Sequence, residues 1–176
     1  TEAKQPRSCT QREFFMKVSI VTVSFNSQNT ISDTINSVLH QTYPDIEYII
    51  VDGKSSDNTV NIIESLKDKF NGRLRFISEP DNGIYDAMNK GIKMATGEIV
   101  GLLNSDDIFA SNTVIEKIAD AFKTSNAQCV YGNLVIVDKN DINRVLRESN
   151  CGQYKQGSFR RGWHPPHPTF YTYKKN

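Results

Sequence analysis

Two neighbouring carboxylates, Asp106 and Asp107, follow Asn104-Ser105 at the end of the apolar run Glu98–Leu103. Side by side they repel each other, and a cation relieves that cost. Hard oxygen donors suit Mg²⁺ or Mn²⁺, which bind one or two carboxylates and share the rest of their coordination with substrate phosphates. The competing reading makes the pair a cap for the next helix, a role that Thr113 and Glu116 are spaced to fill. Asp52-Gly53 closes a second apolar run. A lone carboxylate there can accept a hydrogen bond from the N–H of a pyrimidine base, or simply cap a turn. Phe25, closing a third run, can stack on a base or belong to the core.

Other chemistries are excluded or left open. Gly53-Lys54-Ser55 imitates the end of a P-loop, but the first glycine of that motif would fall at Tyr48, inside a strand. No G-x-G-x-x-G follows any strand, so a dinucleotide fingerprint is missing. A bound diphosphate therefore needs another counter-charge, and a divalent cation supplies one. His164 and His167 lie in His-Pro-Pro-His-Pro, which the prolines hold extended, so the rings need not face one ion. His40 ends the first helix and is expected to meet its carbonyls. Trp163 either packs or meets a sugar ring. Cys9, Cys129 and Cys151 form no C-x-x-C pair and no disulfide framework. They imply a reducing compartment, with Cys129 a small buried hydrophobe.

The elements that must position these residues alternate along the chain. Strands are predicted over Val18–Phe25, Ile46–Val51, Leu74–Ile77, Glu98–Leu103, Cys129–Tyr131 and Leu134–Val137. Helices are predicted between them. Thr30 and Asp33 form a capping box before Ile31, Ile35, Val38 and Leu39. Asp57 caps the stripe Val60, Ile63, Leu66 and Phe70. Ile84, Met88, Ile92 and Ala95 recur at helical spacing, with Gly97 as the stop. Thr113 and Glu116 precede Val114, Ile118 and Phe122. Strands separated by helices of this length imply crossovers and a mainly parallel sheet with helices on both faces. Ligands bind such sheets beyond the carboxyl ends of the strands, where Phe25, Asp52, Asp106 and Asp107 all fall.

With 176 residues, 38% hydrophobic, 23% charged and a net charge of +1, the chain fits one domain. Nothing in that balance demands nucleic acid. The apolar runs are too short to span a bilayer. The charge is uneven: residues 144–176 carry seven basic side chains against Glu148, a local +6, which leaves −5 for the first 143. A basic end suits phosphates or an anionic membrane surface, or is a solvated face. Residues 1–15 read as a disordered or added arm, with Met16 as the native start.

Six segments together resemble glycosyltransferase family 2 of the GT-A fold, bacterial polysaccharide type. They are Val18-Ser-Ile-Val-Thr-Val-Ser-Phe-Asn26, Ile50-Val-Asp-Gly-Lys-Ser-Ser-Asp-Asn-Thr59, Glu79-Pro-Asp-Asn-Gly-Ile-Tyr-Asp-Ala-Met-Asn-Lys-Gly91, Ala95-Thr-Gly-Glu98, Asn104-Ser-Asp-Asp107 and Pro165-Pro-His-Pro-Thr169. The resemblance implies an α/β fold: a nucleotide-diphospho-sugar transferase, Rossmann-like sandwich with a mainly parallel mixed sheet. Residues 16–143 would form the nucleotide-sugar-binding core and 144–176 a partial, truncated acceptor-side region. Val23 and Phe25 would border the base, and Asp52 would read its edge. Residues 81–91 would close over ribose and diphosphate, with Gly83 permitting close approach. Asp106 would face the ribose or a metal-bound water, and Asp107 would ligate Mn²⁺ or Mg²⁺. The implied activity is inverting, metal-dependent transfer from a nucleoside-diphosphate sugar, a UDP-sugar favoured, to a glycan or lipid-linked acceptor. The implied location is cytoplasmic, peripheral at the inner membrane face. A truncated chain that exposes apolar surface would cover it by forming a homodimer.

The family's base lies in an acidic motif downstream of Pro-Pro-His-Pro-Thr. No acid stands between Glu148 and Asn176, so the base and the acceptor-binding half are expected to be missing. Asp138 and Asp141 are stand-ins only in being acids. A sugar nucleotidyltransferase would carry a glycine-rich loop after the first strand, where this chain reads Asn26-Ser-Gln-Asn-Thr30. The alternative function is a non-catalytic nucleotide-binding or scaffold fragment.

Overall fold

A computed structural model describes residues 15–174. The expected arm, apart from Phe15, lies outside the described residues, as does Cys9. Strands and helices alternate as β1 (Val18–Ser24), α1 (Ile31–Leu39), β2 (Ile46–Asp52), α2 (Thr59–Lys67), β3 (Leu74–Ser78), α3 (Ile84–Met94), β4 (Ile99–Leu102) and α4 (Val114–Thr124). Strands β5 (Cys129–Val130), β6 (Leu134–Asp138), β7 (Asp141–Ser149) and β8 (Tyr171–Tyr173) follow. The main sheet runs β3-β2-β1-β4-β8-β5. β1 is parallel to β2 and β4, and β2 to β3, whereas β8 is antiparallel to both neighbours. The mainly parallel mixed sheet expected from the alternation is therefore present. The order reverses between β1 and β4, which opens a crevice at their carboxyl ends.

Residues alternate across a strand, so each buried strand feeds two cores. Ile20, Tyr48, Ile50 and Ile99 point to one face and pack with Ile31 and Ile35 of α1, Ile63 of α2 and Ile115 of α4. Val21, Val23, Ile49, Val51 and Val100 point to the other, against Ala87 and Met88 of α3. Burial on both faces explains why β1 and β2 read as continuous apolar runs. α3 lies so close to β1 that a Cβ on Gly91 would stand 2.2 Å from Val21 Cγ1. Among the described residues no helix is long and apolar enough to cross a membrane.

Several local expectations are corrected. Thr30 and Thr113 precede their helices but make no capping side-chain bond. Glu116 instead accepts Thr42 Oγ1 at 3.0 Å, and the side chain of Gln41 accepts Ile115 N–H at 3.1 Å, capping α4 from a distant loop. Asp57 does accept Thr59 N–H, at 3.0 Å. Gly97 lies beyond the end of α3 and is small for another reason: its N–H reaches Ser19 Oγ, and a Cβ would strike Lys17 O. Cys129 is exposed, because β5 is a two-residue edge strand. Trp163 packs, its ring lying 5.5 Å from those of Tyr131 and Phe159. β7, which the weak pattern did not predict, pairs with β6 in a separate hairpin. Residue 143, the expected core boundary, lies inside β7, and β8 beyond it joins the main sheet.

One buried charge ties the amino-terminal rim together. Glu47 of β2 accepts Ser19 Oγ at 2.5 Å, Thr96 N–H at 2.7 Å and Thr96 Oγ1 at 2.9 Å. Burial alone would raise its pKa, but these bonds and the charge of Lys17 outweigh burial and hold it below the usual glutamate value. A depressed carboxylate stabilises the fold above its unfolded pKa, and that contribution is lost as pH falls through the folded pKa. Glu47→Ala leaves Ser19 and the Thr96 N–H without their partner, so we expect it to cost about 2–4 kcal/mol at neutral pH. Urea melts of the variant should also lose part of the acid sensitivity of the wild type. A variant of unchanged stability and pH profile contradicts this account.

Candidate functional site

The residues with chemical potential gather on the carboxyl rim of β1, β2 and β4. Hydrogen bonds between the loops hold them there. Asn26, in a left-handed conformation with φ of 51°, donates its N–H to Ser55 Oγ and accepts Ser56 N–H at its side-chain oxygen. Ser27 N–H donates to Thr59 Oγ1, and Gln28 N–H to Asp57. Across the β1–β4 crevice, Ser27 Oγ and Ser105 Oγ lie 2.8 Å apart. The loops after β1, β2 and β4 thus form one hydrogen-bonded frame, built from the short polar side chains that follow each strand.

Phe25 projects from this frame with 64% of its surface exposed. The ring is therefore not part of the core. Val23 is buried on the α3 side of the sheet. Asp52 has no exposed surface. Each of its oxygens takes two bonds: Oδ1 from Ser24 Oγ (3.1 Å) and Ser55 Oγ (2.5 Å), Oδ2 from Ser55 N–H (2.9 Å) and Ser78 Oγ (2.7 Å). Gly83, directly before α3, has φ of 105°, a conformation only glycine adopts cheaply. Asp81 accepts its N–H at 2.8 Å. Lys90 secures the same loop from α3, reaching Glu79 and the carbonyl of Pro80 at 2.8 Å each. The hydrogen bond to Glu79, and then its charge, raise the Lys90 pKa.

Asp106 and Asp107 follow β4. Asp106 is exposed and Asp107 half-buried. A turn closed by Asp107 N–H to Asn104 O (3.1 Å) sets the pair, and Asn104 Nδ2 donates to Asp107 Oδ2 at 2.9 Å. Burial is the main influence raising the Asp107 pKa, and the neighbouring Asp106 charge adds to it. Among the described residues neither carboxylate is in an ion pair, and no three acids, histidines or cysteines converge. Two crowded carboxylates with open coordination fit Mg²⁺ or Mn²⁺ that takes its remaining ligands from phosphate and water.

His164 and His167 were not expected to share one ion. His167 Nε2 reaches the amide of Asn104 at 3.1 Å, and Asn104 Nδ2 in turn donates to Asp107. The segment before β8 therefore buttresses the acidic turn. Sequence reading had no signal for this contact beyond the position of Pro165–Thr169 among the family-like segments. Asn104 belongs to these segments with no role implied for it, and Asp81 only as the first residue of the stretch expected over ribose and diphosphate. Asp138 and Asp141 accept Asn140 and Asn143 N–H groups in the β6–β7 turn. Beside the rim, Ile92, Val100, Leu102, Pro165 and Phe170 line an apolar recess of about 370 Å³.

Solved structures share this architecture. S. aureus TarS 1–349 in complex with UDP-GlcNAc aligns with a TM-score of 0.70 and 21% identity, over 90% of this chain and 46% of that one. The mannosyltransferase PcManGT from Pyrobaculum calidifontis, in complex with GDP-Man and Mn²⁺, aligns at 0.63 and 19% identity, over 74% and 38%. At these identities the likeness establishes the GT-A fold alone. Among curated proteins, the Escherichia coli UDP-Glc:alpha-D-GlcNAc-diphosphoundecaprenol beta-1,3-glucosyltransferase WfgD is 36% identical over 148 residues, 77% of this chain and 56% of that protein. A PGL/p-HBAD biosynthesis glycosyltransferase of Mycobacterium bovis is 30% identical over 153 residues, 80% and 60%. The chain spans about half the length of these relatives. The family model for glycosyl transferase family 2 matches residues 19–174, nearly all of the described chain and every element of the rim, and the chain belongs to that family.

Proposed function

We propose that this chain is the donor-binding part of a metal-dependent glycosyltransferase. It would move a sugar from a nucleoside-diphosphate sugar, a UDP-sugar foremost, to a glycan or lipid-linked acceptor in cell-surface polysaccharide assembly. The observation that carries the reading is the half-buried Asp107 beside Asp106 at the rim of the β1–β4 crevice. Two crowded carboxylates there disfavour each other until a cation arrives. Asp107 and Asp106 would hold Mn²⁺ or Mg²⁺. Bound there, the cation would neutralise the charge that develops on the leaving nucleoside diphosphate. Phe25, Gly83 and Asp106 would border the nucleotide, with Val23 and Asp52 beneath its base end. The named ligands of the solved relatives, UDP-GlcNAc and GDP-Man with Mn²⁺, support this class of donor.

The family resemblance supports an inverting displacement. The acceptor oxygen bonds to the anomeric carbon as the bond to the diphosphate breaks, and the acceptor proton passes to a carboxylate. The reading assigns that base neither to Asp138 nor to Asp141, which turn β6 into β7. The +6 charge of residues 144–176 supports an anionic acceptor or the cytoplasmic face of a membrane.

Calorimetric titration of UDP with and without Mn²⁺ tests the donor site. Affinity should fall roughly tenfold or more on chelation, a change of about 1.4 kcal/mol or greater. Binding by neither UDP nor GDP, or binding indifferent to the metal, overturns the reading. Slow hydrolysis of a UDP-sugar would separate an enzyme from a nucleotide-binding scaffold.

A further inference from the structure

The carboxylate best placed to meet a base on Phe25 is not Asp52. An ionised carboxylate offers about four acceptor positions, and the serines and the Ser55 N–H fill all four on Asp52. It is fully buried beneath the rim. Reading a ligand there would require breaking one of those bonds. Asp81 differs. Its Oδ1 accepts Gly83 N–H at 2.8 Å, while no hydrogen bond to its Oδ2 is made among the described residues. That free oxygen sits over Gly53, beside the Phe25 ring. A Cβ on Gly53 would stand 2.7 Å from Asp81 Oδ2 and 3.4 Å from Phe25 Cδ2. The lack of a side chain at Gly53 is therefore what allows the Asp81 carboxylate to lie at the edge of the exposed ring.

We infer that Asp81 Oδ2 is the base-reading acceptor, and that Asp52 positions the serines beneath it. The inference rests on the donor-site reading above and sharpens its substrate class. An acceptor-only group selects a base whose ring edge presents an N–H next to a carbonyl, as uracil does at N3 and guanine at N1. Cytosine presents a bare ring nitrogen at that place and is repelled. The Lys90 contacts to Glu79 and Pro80 keep the strand-to-helix loop, and Asp81 with it, in position.

The test is Asp81→Asn, titrated with UDP, CDP and 2′-deoxy-UDP in the presence of Mn²⁺. The amide keeps an oxygen for Gly83 N–H and turns the free acceptor into a donor. Wild type should favour UDP over CDP. The variant should bind UDP about 10- to 100-fold more weakly, the range expected for losing a hydrogen bond to a charged group. It should also bring CDP level with UDP or above it. That change in base preference is a readout that a merely structural role does not move. An unchanged UDP/CDP ratio, whether affinity falls or not, overturns the inference. So does a variant that loses the penalty for 2′-deoxy-UDP, since the contact would then be to the ribose. Asp81→Ser, which retains a hydroxyl for Gly83, repeats the test if the amide fails to fold. Wild-type protein that binds no nucleotide overturns the donor-site reading itself, a distinguishable result.

Discussion

Replacing Asp107 by alanine is expected to abolish the Mn²⁺-dependent part of UDP binding. Asp107 is the half-buried member of the acidic pair, and it is the one whose orientation is fixed, by Asn104 Nδ2 at 2.9 Å. Losing an outer partner of a metal ligand commonly costs about 10–100-fold in metal affinity. Asn104→Ala should fall in that range, and Asp107→Ala should exceed it. Asp106→Ala, in an exposed position, should lose less than Asp107→Ala. The pair also predicts a trade between function and stability. Burial and the Asp106 charge both disfavour ionised Asp107. Asp107→Asn removes that cost, so without metal the variant should melt at a higher temperature than wild type while failing to gain stability from Mn²⁺. Calorimetric titration and thermal melts with and without Mn²⁺ measure both halves. Normal metal-dependent binding by Asp107→Ala would remove this residue from the site.

A stability effect as large as that of Glu47→Ala is expected at Gly101. This residue of β4 pairs across the ladder with Tyr171 of β8, whose ring occupies the space a side chain there would need. A Cβ at position 101 would stand 2.1 Å from Tyr171 Cε1, well inside contact distance. Overpacking a filled core costs about 1–3 kcal/mol, occasionally more, and Tyr171 is fully buried with nowhere to retreat. Gly101→Ala should therefore lose about 3 kcal/mol in urea unfolding. Adding Tyr171→Leu should restore part of the loss, because the two residues share one contact and their effects will not add. The buried Tyr171 hydroxyl has no hydrogen-bond partner, so Tyr171→Phe alone should be neutral or stabilising by about 1 kcal/mol. The consequence reaches the rim. β8 anchors the segment that carries His167 to Asn104, so Gly101→Ala should also weaken Mn²⁺ binding at temperatures where the protein remains folded. Full stability in Gly101→Ala would show that β8 does not seat as described.

Much of this protein was legible in its sequence wherever local rules act. Apolar runs bounded by polar turns located β1 through β4, most plainly β1 and β2, which are buried at every residue. Helical periodicity located α1 through α4, and the alternation implied a parallel sheet with its ligand rim at the carboxyl ends. Asp106 and Asp107 stood out because adjacent carboxylates need a reason. What only the tertiary structure decided depends on groups far apart in the chain. The caps went to Gln41 rather than Thr113, since an N–H takes whichever acceptor packing delivers. β7 and β8 escaped the sequence pattern, because an exposed hairpin has no apolar alternation and a three-residue strand is held by Gly101 across the ladder. Whether Phe25 was core or platform, and whether Asp52 or Asp81 kept a free oxygen, turned on burial and on which donors the neighbouring loops brought near. Residue types set which chemistry is available; three-dimensional competition for hydrogen bonds sets which atoms remain free to perform it.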